Sequence, residues 1–111
     1  MASTANLDPY FKPWAEWLVD VGRYLELNPR ITSGFRSLAK QQQLYDRYLR
    51  GVHRYPVAPP GASLHNYGLA VDLVSDDNER LGAIWRQYGG CWGAAKDPIH
   101  FAAACSVREL G

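Results

Sequence analysis

The chain has 111 residues, a formal net charge of +1 and 47% apolar residues, the composition of an ordinary globular protein. This length suits one hydrophobic core without a second binding module, so we expect a single domain spanning residues 1–111. The nearly neutral charge excludes the basic footprint of a nucleic-acid-binding protein, and no segment has the length and apolar content that predict a transmembrane helix.

Helical and strand periodicities alternate along the chain. Apolar residues recur every three or four positions over residues 10–27, which predicts an amphipathic helix that Asn28 and Pro29 end. Further helices are predicted over residues 38–50, with Ser37 as the N-cap, and over residues 79–88. The predicted strands are Arg30–Ser33, residues 69–75, Cys91–Gly93 and residues 99–103. This pattern indicates an α+β fold in which about three helices flank one small antiparallel sheet.

The second predicted helix leads into a loop that is rich in proline and glycine, residues 51–61. The helix is expected to turn Leu44, Tyr45 and Tyr48 inward. His53, within the loop, fits no metal-ligand spacing, so we expect it to be solvated or to line a cleft.

Two segments concentrate histidine and aspartate: residues 63–72, SLHNYGLAVD, and residues 97–101, DPIHF. Catalytic zinc is usually held by three nitrogen or oxygen ligands, and His65, Asp72 and His100 would supply them. Gly68 allows a turn before the strand, so that Asp72 can lie opposite His65. The twofold periodicity of the strand separates Asp72 from the apolar face that carries Val71, and a carboxylate among apolar neighbours needs a metal or a hydrogen-bond donor.

Each of these residues also has a simpler interpretation. His65 and Asp72 would form a hydrogen bond without any metal, and Asp72 alone would be typical of a strand-end carboxylate paired with an arginine. His100 alone would be an ordinary half-buried strand residue. The order and combination of the three residues favour the zinc site.

Three segments then match a known family. Residues 63–72 resemble the SxHxxGxAxD signature of the zinc D-alanyl-D-alanine carboxypeptidase family, which includes phage endolysin L-alanyl-D-glutamate peptidases and vancomycin-resistance D,D-peptidases. Upstream, SGFRS followed by Gln41, Gln42, Leu44 and Tyr45 resembles the family's SGYRS...QQ..LY segment. Downstream, Trp92-Gly93 and DPIHF resemble its closing WG...(D/E)xxHF element. Phe35 replaces the more usual Tyr, and Asp97 stands where many members carry Glu.

The resemblance implies a zinc-dependent hydrolase of the peptidoglycan stem peptide, with one zinc ion on the open face of a sheet like that of the hedgehog domain. Asp97 would be the general base, reaching the site from a turn that Pro98 marks. Arg36 would stabilise the oxyanion or hold a substrate carboxylate. Ser63 would contact the substrate, or equally it would hold the loop that carries His65.

The bond that is cut stays open between endolysin-type cleavage after L-Ala and carboxypeptidase action at D-Ala-D-Ala. The loop of residues 51–61 would shape that choice. A competing hypothesis is a hedgehog-like module that retains zinc and only binds partners; Asp97 and Arg36 argue against it, because a binder needs no general base. An intracellular dipeptidase ranks last, since a chain this short has little material for a closed pocket.

The expected partner is the peptidoglycan stem peptide, bound by a monomer with no nucleic acid and no membrane insertion. The first residues lack the basic region and apolar run of a signal peptide. Peptidoglycan lies outside the cytoplasmic membrane, so we expect either a phage endolysin released from the host cytoplasm to the cell wall or part of a longer secreted protein.

Cys91 and Cys105 could pair in an oxidising compartment, although two cysteines alone do not establish the pairing.

Overall fold

The computed structural model describes residues 1–53 and 55–110. Its α-helices are α1 (Lys12–Tyr24), α2 (Leu38–Leu49) and α3 (Asn78–Gln87), and its strands are β1 (Arg30–Ser33), β2 (Ala70–Val74), β3 (Cys91–Gly93) and β4 (Asp97–Ala102). The strands form one antiparallel sheet in the order β1-β2-β4-β3. The predicted α+β fold is confirmed.

The helices begin and end where local chemistry dictates. The Oγ of Ser37 accepts a hydrogen bond from the backbone N–H of Lys40 at 3.1 Å, which confirms the predicted N-cap of α2. Helix α1 ends at Tyr24, three residues before the predicted end at residue 27. The reason lies in the backbone, because Glu26 and Asn28 adopt left-handed φ angles of 58° and 51° that a helix cannot contain.

The predicted inward face of α2 is partly wrong. Gln41 is its buried side chain, 1% exposed, whereas Tyr48 is 38% exposed. Leu44 and Tyr45 are half-buried. The cause is the position of the helix, because Gln41 and Leu44 line a surface cleft and are not part of the main apolar core.

The two faces of the sheet have different roles. Val71 and Leu73 of β2 and Phe101 of β4 pack with buried residues of α1 and α3 in the main core. The alternate residues Ala70 and Ala102 belong to a second, smaller cluster with Leu64. Because side chains alternate along a strand, the face away from the main core also carries Asp72.

Strand β4 differs from its prediction. Asp97 is the first residue of the strand and pairs with Gly93, and the turn lies earlier, in the 3₁₀ helix Ala94–Lys96. The next pair in the ladder is Trp92 with Phe101, so residues 98–100 are left without a partner in β3. Pro98 fits this unpaired stretch because it has no N–H to offer to a ladder.

A disulfide joins Cys91 of β3 to Cys105, beyond the end of β4, with 5.1 Å between the Cα atoms. The pairing that the sequence left open is therefore present in the fold.

Among residues 1–53 and 55–110, no helix has the length and apolar character needed to cross a membrane.

Gly68→Ala should destabilise the fold more than Gly51→Ala. Both glycines have positive φ angles, 69° and 75°, so alanine at either position costs about 1–2 kcal/mol of backbone strain. Only at Gly68 would the new Cβ also meet another segment, 2.6 Å from the backbone nitrogen of Asp8; at Gly51 it would meet nothing within 4 Å. Urea denaturation of both variants measures the difference, and equal losses of unfolding free energy would show that the N-terminal segment is not packed against this turn.

Candidate metal centre

Three side chains from separate elements meet on the polar face of the sheet. His65 lies in the 3₁₀ turn Leu64–Tyr67, Asp72 in β2 and His100 in β4. The register of β2 and β4 places Asp72 directly across from His100. One ligand atom from each of the three residues lies within 4.8 Å of the others. The structure thus brings together the three residues that the sequence selected as metal ligands.

The ring of His65 is fixed in orientation by its neighbours. Its backbone N–H donates to the Oγ of Ser63 at 3.2 Å, and its Nδ1 lies 2.8 Å from the carbonyl oxygen of Gly34. A carbonyl can only accept a hydrogen bond, so Nδ1 carries a proton there. Nε2 then faces Oδ1 of Asp72 at 3.1 Å. That approach is favourable when a metal ion or a second proton lies between the two atoms.

Asp72 divides its two carboxylate oxygens between different partners. Oδ2 accepts a 2.7 Å hydrogen bond from Nη2 of Arg36, and Oδ1 faces His65 and, at 3.8 Å, Nδ1 of His100. Burial by itself raises the pKa of Asp72, but the imidazoles of His100 and His65 and the guanidinium of Arg36 outweigh burial and hold the pKa well below its usual range. Asp72 is therefore a carboxylate at neutral pH. The simpler pairings, with a histidine and with an arginine, coexist with the three-residue cluster.

Asp97 lies beside this cluster but has a different electrostatic character. Its side chain is half-buried and lines the same cleft as Asp72 and His100. Burial and then the negative charge of Asp72 raise the pKa of Asp97, more than the nearby basic groups lower it. A carboxyl group with a raised pKa, next to a potential metal site, has the property required of a general base.

Arg36 is held on three sides. Its Nε donates to the Oγ of Ser33 at 3.1 Å and its Nη1 to Oε1 of Gln41 at 3.4 Å, in addition to the bond to Asp72. Gln41 also donates from Nε2 to the carbonyl of Ala58 at 2.8 Å, which links the arginine to the loop of residues 51–61. Gln41 belongs to a segment that resembles the family's motif, but its burial is not predictable from the sequence, because glutamine is usually exposed.

The cleft in front of the cluster has a volume of about 290 Å³. Ser63 lines it, yet its Oγ accepts from the His65 N–H, which favours its predicted role in holding the loop. His53 also lines the cleft, in agreement with one of its two predicted positions, and Cys105 and Ser106 form part of the lining. The cleft is therefore bordered both by residues 53 and 55–58 of the loop and by the segment that follows β4.

Comparison with known proteins yields consistent matches. The family model described as VanY, D-alanyl-D-alanine carboxypeptidase, matches residues 5–91. A D-alanyl-D-alanine carboxypeptidase of Enterococcus faecalis is 27% identical over 95 residues, which cover 74% of this chain and 35% of that protein. The chain thus spans about a third of the length of this curated relative.

Solved structures share the fold. The vancomycin-resistance D,D-pentapeptidase VanY, in a complex with Zn(II), matches with a TM-score of 0.69 and 24% identity over 90% of this chain and 76% of that chain. VanYB in complex with D-alanine-D-alanine matches with a TM-score of 0.63 and 25% identity, covering 86% of this chain and 70% of that chain. The LD-carboxypeptidase LdcB matches with a TM-score of 0.68 and 25% identity, covering 86% and 64% of the two chains.

In the metal-free protein at pH 7, Asp72→Asn and Asp97→Asn should change stability in opposite directions. The pKa of Asp72 is lower in the folded state than in the unfolded state, so its charge stabilises the fold. Removing one partner of a buried ion pair costs about 3–5 kcal/mol. The pKa of Asp97 is raised, so its charge opposes folding, and asparagine should stabilise the protein. Urea denaturation in the presence of a chelator measures both variants.

Acidification provides the control for this pair. The stabilisation from Asp72 is fully present above its unfolded pKa and is lost as the pH falls through the lower folded pKa, so the cost of Asp72→Asn should shrink below the usual aspartate range. The effect of Asp97→Asn should vanish once the pH falls below the unfolded pKa, where both states are protonated. A destabilised Asp97→Asn variant at pH 7 would contradict this electrostatic account.

Proposed function

Since the chain belongs to the VanY D-alanyl-D-alanine carboxypeptidase family, we propose that it is a zinc-dependent peptidase that acts on the stem peptide of peptidoglycan. The observation that carries the proposal is the meeting of His65, Asp72 and His100 beside Asp97 in one cleft. A module that only binds a partner would have no use for a half-buried carboxyl group of raised pKa next to the metal ligands.

The donor set fits zinc. Two imidazoles and one carboxylate are a common ligand set for catalytic zinc, and they leave one coordination position open. The hydrogen bond from Nδ1 of His65 to Gly34 is the usual outer contact of a metal-ligating histidine, because it fixes the ring and leaves Nε2 free. Asp72 supplies the negative charge. When bound, zinc would act as a Lewis acid that activates water and polarises the peptide carbonyl.

Asp97 is proposed as the proton carrier. It would take a proton from the attacking water and deliver it to the amine that leaves when the peptide bond breaks. The raised pKa of Asp97 supports this role, because proton transfer is most effective when the pKa of the base approaches the working pH. Asp72 is unsuited to the task, since its pKa is strongly lowered.

Arg36 is proposed to have two roles. Its Nη2 holds Asp72 at 2.7 Å and thereby orients a metal ligand. Its Nη1 donates a longer, 3.4 Å hydrogen bond to Gln41, and Arg36 lines the cleft, so this group can turn towards a substrate carboxylate or a developing oxyanion. The hydrogen bond to Asp72 supports the first role, and the family resemblance supports the second.

The substrate is proposed to be a stem peptide that ends in D-alanine. The family description and the relative from Enterococcus faecalis both specify D-alanyl-D-alanine carboxypeptidase, which favours removal of a terminal D-alanine over endolysin-type cleavage after L-alanine. Such a substrate lies outside the cytoplasmic membrane. The Cys91–Cys105 disulfide is consistent with that location, because disulfides persist in oxidising compartments.

Asp97→Ala should lower hydrolysis by about 100-fold or more while zinc stays bound, because general base catalysis typically contributes about 10²–10⁴-fold. His100→Ala should lose both zinc and activity, since it removes a ligand. The substrate for the assay is a synthetic stem pentapeptide that ends in D-Ala-D-Ala, with products identified by mass spectrometry and zinc quantified by atomic emission. Normal hydrolysis by Asp97→Ala would refute the proposed mechanism.

Chelation and reconstitution identify the reaction itself. Activity should disappear with a chelator and return with one equivalent of zinc, and the released product should be free D-alanine. A new amino terminus at D-glutamate in intact peptidoglycan would instead assign the endopeptidase activity. Zinc at one equivalent without any cleavage would favour the non-catalytic binding module.

A further inference from the structure

Strand β4 presents Asp97 and His100 to the same cleft although they are three residues apart. On a regular strand such residues point to opposite faces of the sheet. The ladder between β3 and β4 explains the exception, because Trp92 pairs with Phe101 while Gly93 pairs with Asp97. Residues 98–100 are extra residues on the β4 side, and this bulge re-aims the side chains on either side of it.

The carbonyl group of Pro98 anchors the bulge. It accepts a 2.8 Å hydrogen bond from the indole Nε1 of Trp92 and a second, also 2.8 Å, from Nδ2 of Asn78. The same Nδ2 donates to the carbonyl of Leu73 in β2 at 2.8 Å. Side chains from β3 and α3 therefore restrain the peptide group between Pro98 and Ile99, one residue beyond Asp97.

Gly93 completes the arrangement. A Cβ at this position would lie 2.1 Å from the carbonyl oxygen of Asp97 and 2.9 Å from its Cβ, so only glycine permits the pairing. The backbone of Asp97 is thus brought close to β3 on one side, and the carbonyl of Pro98 is fixed on the other. This restraint matters because an aspartate is one methylene shorter than a glutamate and depends more on its backbone position.

We propose that Trp92 is a positioning residue for Asp97: its indole N–H holds the Pro98 carbonyl so that the Asp97 carboxyl group faces the His65, Asp72 and His100 cluster. Trp92 is not among the described residues that line the cleft. Its ring stacks on Phe101 and lies beneath the guanidinium of Arg86. The proposal rests on the proposed function, in that Asp97 is taken to be the general base.

The chain contains a matched control on the same strand. Trp85 donates from its Nε1 to the carbonyl of Ala102 at 3.0 Å, at the opposite end of β4. Trp85 is buried, contacts Phe101 and lies in the main core, away from the cleft. Replacing either tryptophan with phenylalanine removes one indole N–H and one hydrogen bond to β4, so the two variants differ mainly in which end of the strand they release.

The test compares Trp92→Phe with Trp85→Phe in the zinc-loaded enzyme. Trp92→Phe should lower kcat by about 10- to 100-fold, because a displacement of about 1 Å can cost that much, with KM changed less than about threefold. Trp85→Phe should leave kcat unchanged although its melting temperature falls. Zinc affinity, measured by competition with a chromophoric chelator, should be unchanged in both. Adding Asp97→Glu to Trp92→Phe should restore part of the lost kcat through the longer side chain.

Two outcomes would overturn the proposal. An equal loss of kcat in both variants would indicate a general loss of order. A loss of zinc affinity in Trp92→Phe would indicate that the hydrogen bond to Pro98 positions His100 instead of Asp97. If Trp92→Phe does not fold, Asn78→Ala removes the other donor to Pro98 and is assayed in the same way. The ¹³Cγ resonance of Asp97 in the metal-free protein should move in Trp92→Phe and not in Trp85→Phe. If the wild type shows no hydrolysis, the proposed function is rejected. The resonance of Asp97 still decides whether Trp92 positions that residue.

Discussion

The buried carboxylate of Asp72 is the group on which the polar face of this sheet depends. One of its oxygens is bonded to Arg36, and the other faces the rings of His65 and His100. An uncompensated charge in this position would be very costly, so the folded sheet is stable only with these neighbours in contact with Asp72. The same requirement assembles the candidate metal centre, since two of the neighbours are the other proposed ligands.

Because side chains alternate along a strand, one face of the sheet packs in the main core and the other lines the cleft. Val71 and Leu73 bury themselves against α1 and α3, while Asp72, between them in sequence, faces the cleft. Strand β4 departs from simple alternation, because the three residues 98–100 have no partner in β3 and both Asp97 and His100 reach the cleft. The register also shifts between Ile31 and Ser33 of β1, opposite β2. The shift between β3 and β4 is the one that falls in the segment carrying the proposed base.

Local patterns predicted the elements and the candidate ligands but not their irregular contacts. The spacing of His65, Asp72 and His100, with the family resemblance, was sufficient to select the cluster that the structure assembles. The bulge in β4 could not be predicted, because it depends on which residues of β3 pair across the turn and on donors from Trp92 and Asn78. The inward position of Gln41 was missed for a related reason, since its partners, Arg36 and Ala58, are five and seventeen residues away.

The disulfide has a topological consequence for the segment that carries the proposed base and the last proposed ligand. Because Cys91 and Cys105 are joined, Asp97 and His100 lie within a covalently closed ring of chain that also contains the exposed Lys96. A protease that cut the turn at Lys96 would leave both halves of the ring connected, so β4 could not diffuse away. Loop closure also limits how far β3 and the end of β4 separate in the unfolded chain, which shortens their search for each other when the protein refolds.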